Sequence, residues 1–236
     1  MSIDKIDQKI KEKYSEWKYI LPRALESRFH STDMPDFAAS VNSYDPKFVI
    51  DCGCGFNYWK GKIQNLVGFD STDYGNNDLV CNFTEADNFF TKESADIVLV
   101  LGSINTSNKE HIEHNLNLAI SWVKPGGYIV MRTRSDFDTL MKDLPTGGEN
   151  NFIWNAFAIK EYTDKYNLVF HKPVELRYEI VETLSESDLE NYQEIMRPGS
   201  ESFDVITREV ERRKNSIKAD KLTMIKPKYC WWWQKR

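Results

Sequence analysis

The chain has 236 residues, a formal net charge of −5, and is 41% apolar and 13% aromatic. That length fits one domain with extensions. The sequence holds no run of 18 apolar residues, so no membrane span is expected. The charged start Met1-Ser2-Ile3-Asp4-Lys5 lacks the apolar core of a secretion signal. Charge is uneven: residues 207–236 carry ten Lys/Arg against three Asp/Glu, or +7, which leaves −12 on residues 1–206.

Four cysteines are present, Cys52, Cys54, Cys81 and Cys230. Cys52 and Cys54 are too close, and wrongly directed, to bridge one another. With no C-x-x-C pair and no nearby histidine, a metal site is not expected, and reduced thiols in a cytoplasm are the natural reading.

In chain order, Ile3, Ile6, Ile10, Tyr14, Trp17 and Leu21 recur every three or four residues, an amphipathic helix that Pro22 ends. A first strand is predicted over about 47–52, where Phe48-Val49-Ile50 reads as covered on both faces. It runs into the turn Asp51-Cys52-Gly53-Cys54-Gly55-Phe56-Asn57. A second strand over about 65–70 ends in Gly68-Phe69-Asp70, and Leu79-Val80-Cys81 forms a short third. A fourth strand spans about 95–101. The capping box Ser107-Asn108-Lys109-Glu110 then opens a helix with Ile112, Leu116, Ala119, Ile120 and Val123 on its apolar face. His111 and His114 fall off that face.

Pro125-Gly126-Gly127 turns into a fifth strand, about 127–133. The polar segment 134–151 is expected as a loop, and a helix over about 151–166 carries Trp154, Phe157, Ala158 and Tyr162. Residues 168–181 read as extended. A second capping box, Ser187 to Glu190, and the spacing of Phe203, Ile206, Val210 and Ile217 predict helices within 184–222. A last strand covers about 226–235. Alternation sends Trp231 and Trp233 to one face of it and Trp232 to the other, as expected of a strand covered on both sides.

The glycine turn and the carboxylate at the next strand end together form the recipe for holding a nucleoside at the carboxyl edge of a parallel sheet. A dinucleotide fingerprint would need a third glycine where Tyr58 stands. The G-x-x-x-x-G-K-[ST] phosphate loop is missing, and Asp51 would repel a pyrophosphate. The same carboxylate suits a cationic ligand.

Asp51 to Asn57 resembles the D-x-G-x-G-x-G motif of class I S-adenosylmethionine-dependent methyltransferases. Gly68-Phe69-Asp70 resembles their ribose-binding strand end, Ala95 to Gly102 their fourth strand, and Val123 to Met131 the L-K-P-G-G turn into their fifth. These pieces stand in family order over about residues 46–134. The short forms C-G-F-N and L-G-S-I-N are most similar to small methyltransferase-like proteins of tailed bacteriophages. Three departures stand out. Asn57 replaces the last glycine, and the span from Asp51 to Asp70 is about one helical turn short, which predicts a short or distorted first helix. Gly102-Ser103-Ile104-Asn105 stands where enzymes that methylate amino groups of DNA bases carry N-P-P-Y.

The resemblance implies a Rossmann-like α/β fold, a doubly wound and mostly parallel sheet of order 3-2-1-4-5-7-6 with an antiparallel last strand. A single domain would comprise an N-terminal extension (1–45), a core (46–183), a helical insertion (184–222) and the last strand (223–236). S-adenosylmethionine is the implied cofactor. Asp51, Gly53 and Gly55, with Cys54 and Asn57 in the same turn, would hold its methionine end, and Asp70 its ribose. Asn82 and Phe83 would meet its adenine, and Gly102 and Ser103 would lie beside the methionine and face the acceptor. The implied activity is methyl transfer; the alternative is a binding or assembly protein that keeps the fold without catalysis. Asp136, Asp138 and Glu149 are base candidates by location alone, so no catalytic residue is assigned. The sequence selects no acceptor. The basic C-terminal region could meet a nucleic acid, a reading that the acidic main body disfavours. A cytoplasmic setting is expected, that of the host for a viral protein.

Overall fold

The computed structural model describes residues 2–15, 34, 36–104, 108–134, 152, 154, 156–181 and 224–236. The elements are α1 (Ile3–Ser15), α2 (Phe37–Asn42), β1 (Val49–Cys52), β2 (Leu66–Asp70), β3 (Leu79–Val80), α3 (Phe83–Ala86), β4 (Ala95–Val100), α4 (Lys109–Trp122), β5 (Val123–Arg134), α5 (Ala156–Lys165), β6 (Leu168–Val181) and β7 (Met224–Lys235). The strands form one seven-stranded sheet of order β3-β2-β1-β4-β5-β7-β6. The first five strands pair in parallel, and β7 runs antiparallel to both β5 and β6. This is the topology expected from the sequence.

Period-two alternation divides the side chains between the two faces. Ile50, Cys52, Phe69, Val98, Val100, Ile129, Met131, Trp231 and Trp233 point into a core closed by α3, α4 and α5. Val49, Ile97, Leu99, Val130, Cys230 and Trp232 point the other way, against α2, Met34, Trp59 and Ile63. The three consecutive tryptophans are therefore split as their spacing predicts, and all three are buried. Trp231 and Trp233 meet edge to face at 5.2 Å, and Trp233 Nε1 donates to Thr163 Oγ1 at 2.9 Å.

Two local features differ from expectation. No helix forms between β1 and β2. Residues 54–63 instead make a succession of tight turns, with Asn57 N on Cys54 O, Lys60 N on Asn57 O and Ile63 N on Trp59 O. With 13 residues between Cys52 and Leu66, little length is left for a packed helix in the crossover, and the aromatic rings of Tyr58 and Trp59 cover the sheet in its place. The fifth strand also starts four residues early. Val123 pairs with Ala95 and Tyr128 with Ile97, so 124–127 bulge out opposite Asp96 alone. Gly127 has to be glycine in that bulge, because a Cβ would lie 2.8 Å from Asp96 O. Lys124 closes the excursion with an ion pair to Asp96.

The α4 cap is shifted by one residue from the predicted box. Asn108 Oδ1 accepts from His111 N at 2.9 Å, and Ser107 lies outside the described residues. So do the expected helices within 184–222, the loop 135–151, and Trp17, Leu21 and Pro22. No helix among the described residues is long and apolar enough to cross a membrane.

Trp233→Ala should open a cavity between the sheet and α5 and orphan the Thr163 hydroxyl. A loss of about 3–5 kcal/mol is expected, read as a lower denaturant midpoint at unchanged slope.

Candidate functional site

The carboxyl ends of β1, β2, β3 and β4 converge on one cavity, and the β1 turn is built for close approach. Gly53 and Gly55 hold φ of 67° and 56°, a region that favours glycine. A Cβ on Gly53 would sit 2.4 Å from Ser103 Cβ, so any side chain there would push the turn off the β4 loop. Gly102, at φ 112°, makes the matching bend on the β4 side.

Asp70 fastens the turn from β2. Its Oδ2 accepts from Gly55 N at 3.0 Å and its Oδ1 from Thr72 N at 3.0 Å, while Cys54 N donates to Phe69 O at 2.9 Å. Asn77 Nδ2 adds a bond to Gly55 O at 2.8 Å and reaches Cys54 Sγ at 3.2 Å. Burial and the negative charges of Asp51 and Asp70 push the Cys54 thiol well above its ordinary value. That keeps it protonated and rules it out as a thiolate nucleophile at neutral pH.

Asn57 acts on the loop that follows β2. It holds φ 51° and is buried, and its Nδ2 donates to Asn76 O and to Asp78 Oδ2, each at 3.1 Å. Asp78 Oδ2 in turn accepts from Gly68 N at 2.9 Å. The amide lies flat over Gly68, where a Cβ would come within 2.6 Å of Asn57 Oδ1. The residue that departs from the glycine motif thus pins the 71–78 loop and does not reach the cavity wall.

Asp51 points to the α2 face and is almost fully buried. Burial first, and then the charge of Asp70, push its carboxyl up to about 7, against the pull of the Arg132 guanidinium. Asn82 and Phe83 stand at the N-terminus of α3. Asn82 Oδ1 accepts from Glu85 N at 2.8 Å, and Glu85 Oε2 accepts from Asn82 N at 2.9 Å, a reciprocal capping box. Phe83 stacks on Trp122, 6.1 Å apart at 15°.

The cavity measures about 50 Å³. Of the residues expected at a ligand, Gly53, Asp70, Asn82, Phe83 and Ser103 line it; Asp51, Cys54, Gly55, Asn57 and Gly102 do not. Phe69, Ser71 and Cys81 add to it from the ends of β2 and β3, and the rest of the wall comes from elements the motif does not include. Asp7, Ile10 and Tyr14 reach in from α1, and His111 and Asn115 from α4. Ile10 and Tyr14 belong to the helical stripe visible in the sequence. His111, expected off the apolar face, is instead buried, because α4 shows two adjacent columns to the interior: Ile112, Leu116 and Ala119 in one, His111 and Asn115 beside it. His111 Nε2 lies 2.6 Å from Asp7 Oδ1.

Asp7 and Asp70 are on the described wall, and no Lys or Arg is. A larger groove of about 530 Å³ lies far from the glycine turn, between α5 and β6, and is mostly apolar. Among the described residues no cluster of His, Cys, Asp or Glu could hold a metal ion.

No family model and no curated protein matches the sequence. Solved structures do match the fold. TehB from Haemophilus influenzae aligns at a TM-score of 0.52 and 12% identity, over 88% of this chain and 66% of that one. The 1,6-didemethyltoxoflavin-N1-methyltransferase of Burkholderia thailandensis, solved with S-adenosylhomocysteine bound, aligns at 0.50 and 9%, over 93% and 88%. The chain shares the class I methyltransferase fold. The [4+2]-cyclase SpnF also aligns, at 0.51 and 10% identity over 97% and 96% of the two chains. The fold therefore does not by itself select methyl transfer.

Two outcomes test this description. Gly68→Ala should destabilise the protein by driving a methyl group into the Asn57 amide, and adding Asn57→Gly should restore part of the loss. A double-mutant cycle in urea should give a coupling of about 1 kcal/mol or more. Asp51 carries a pH signature. Its folded value of about 7 lies above its ordinary 3.8, so between those limits the folded chain holds a proton that the unfolded chain releases. Stability should therefore fall as pH rises through that window, by roughly 4 kcal/mol in all. Asp51→Asn should flatten the profile, raising Tm at pH 8 and leaving it nearly unchanged at pH 4.

Proposed function

We propose that the protein is an S-adenosylmethionine-dependent methyltransferase. The observation that carries this is the wall of the cavity at the carboxyl edge of β1, β2 and β4: a glycine turn, the Asp70 carboxylate and no cationic side chain among its described residues. Pyrophosphate cofactors need donors or positive charge at that place; a sulfonium nucleoside brings no phosphate there. The cofactor would supply a methyl group already activated by positive sulfur. The chain's own work is then to position the reactants and exclude water.

Each Asp70 oxygen accepts one backbone N–H, which orients the carboxylate at the strand end where a ribose would lie. The close contact of Gly53 with Ser103 narrows the far end, where the methionine would lie. Among the residues expected at the cofactor, Asp51 would act from beneath the turn through its charge, and Cys54, Gly55, Asn57 and Gly102 by shaping it. The base candidates Asp136, Asp138 and Glu149 lie outside the described residues.

A ligand of this size ordinarily fills a pocket of about 300 Å³ or more, against about 50 Å³ here. In the conformation described, Asp7, Ile10 and Tyr14 of α1 border that small space. On this reading α1 would yield when the cofactor binds, and it buries only Ile6 and Asp7 among its 13 residues. The same filled cavity favours a second reading, a binding or assembly role on an inherited fold.

Calorimetric titration separates the two. S-adenosylmethionine and S-adenosylhomocysteine should bind saturably while NADH does not, and Asp70→Ala should weaken both about tenfold or more. Binding of neither sulfur nucleoside would overturn the methyltransferase reading in favour of the second.

A further inference from the structure

The helix α1 is polar and lightly held. Lys5, Gln8, Lys9, Lys11 and Glu12 are exposed, and only Ile6 and Asp7 are buried. Asp7, Ile10 and Tyr14 recur at steps of three and four, so they share one face of the helix, and all three border the cavity. Asp7 ties that face to α4. Its Oδ1 lies 2.6 Å from His111 Nε2, and the two residues are 7% and 3% exposed.

α4 is the fixed side of this contact. The Asn108 cap holds His111 N at 2.9 Å, and Ile112, Leu116, Ala119 and Trp122 of the same helix are buried in the core. Docking of α1 also leaves polar atoms unserved. Asp7 Oδ2 and Asn115 Oδ1 are buried on the cavity wall with no hydrogen-bond partner among the described residues. Both are acceptors that water would satisfy once α1 lifts, so each opposes the docked position. A short carboxylate–imidazole contact and the burial of Ile6 favour it.

We propose that α1 is an autoinhibitory lid caught by the Asp7–His111 contact, which keeps the cavity at about 50 Å³ until the catch opens. This rests on the cofactor reading above and deepens it. The lid opens locally, with the sheet intact, because few of its side chains are buried and its docked state is incompletely satisfied. A ligand that enters only the open form binds with an affinity reduced by the fraction of chains that are open. Breaking the catch therefore strengthens binding, whereas removing a residue that holds the ligand weakens it.

The test combines hydrogen exchange and calorimetry on the full chain. In Asp7→Ala, exchange of the α1 amides should speed up about tenfold, while β1 and β4 keep their protection, which also shows that the variant is folded. S-adenosylhomocysteine should bind Asp7→Ala more tightly than wild type, by about the factor gained in α1 exchange, since both report one opening equilibrium. His111→Ala should loosen α1 in the same way, and the double variant should exchange no faster than Asp7→Ala alone. Unchanged α1 exchange in Asp7→Ala, or S-adenosylhomocysteine binding that is unchanged or weaker, would overturn the lid while leaving the cofactor reading intact. Binding of S-adenosylhomocysteine by neither wild type nor Asp7→Ala would overturn both.

Discussion

The carboxylate of Asp70 is the constraint on which the carboxyl edge of the sheet depends. By accepting Gly55 N–H on one oxygen and Thr72 N–H on the other, it ties the turn after β1 to the loop after β2. Everything nearby follows from that tie. With Gly55 fixed, Gly53 is pressed against Ser103, and the β4 loop is fixed in turn. With Thr72 fixed, the 71–78 loop folds back over the turn, where Asn77, Asn76 and Asn57 stitch it down. A buried acid normally costs stability; this one is compensated by hydrogen bonds from the backbone it organises.

Asp51 lies close by with less compensation. Burial first, and then the nearby charge of Asp70, raise its carboxyl against the pull of Arg132. Asp70 accepts two backbone N–H groups, whereas one oxygen of Asp51 has no donor. A cationic ligand settling nearby would favour the ionised form of Asp51.

Much of this architecture was legible in the residues. The strand order was implied by the family resemblance that the motifs carry, and β6 was delimited at 168–181 by its extended pattern. The Trp231–Trp233 alternation correctly announced a strand covered on both faces. Illegible parts share one cause: they depend on contacts between segments remote in the chain. Nothing local to Asn57 says that its amide will lie on Gly68 and bond to Asp78. Nothing local to His111 says that an aspartate 104 positions earlier will meet it. The absent helix after β1 was foreshadowed by a short spacing, but its replacement by turns capped with aromatic rings required the tertiary packing of Trp59 on Phe37, 5.0 Å apart.

The position of β7 bears on how the chain reaches this state. Strands β5 and β6 do not touch; β7, the latest of the described strands to be synthesised, lies between them and pairs with both. The distal part of the sheet therefore cannot close until residues 224–235 have left the ribosome. Until then β5 and β6 present unpaired backbone edges and the Trp154 side of the core lacks Trp231 and Trp233. Closure of this half of the sheet therefore rests on pairings between segments remote in sequence, such as Tyr128 with Gln234, the kind that form slowly.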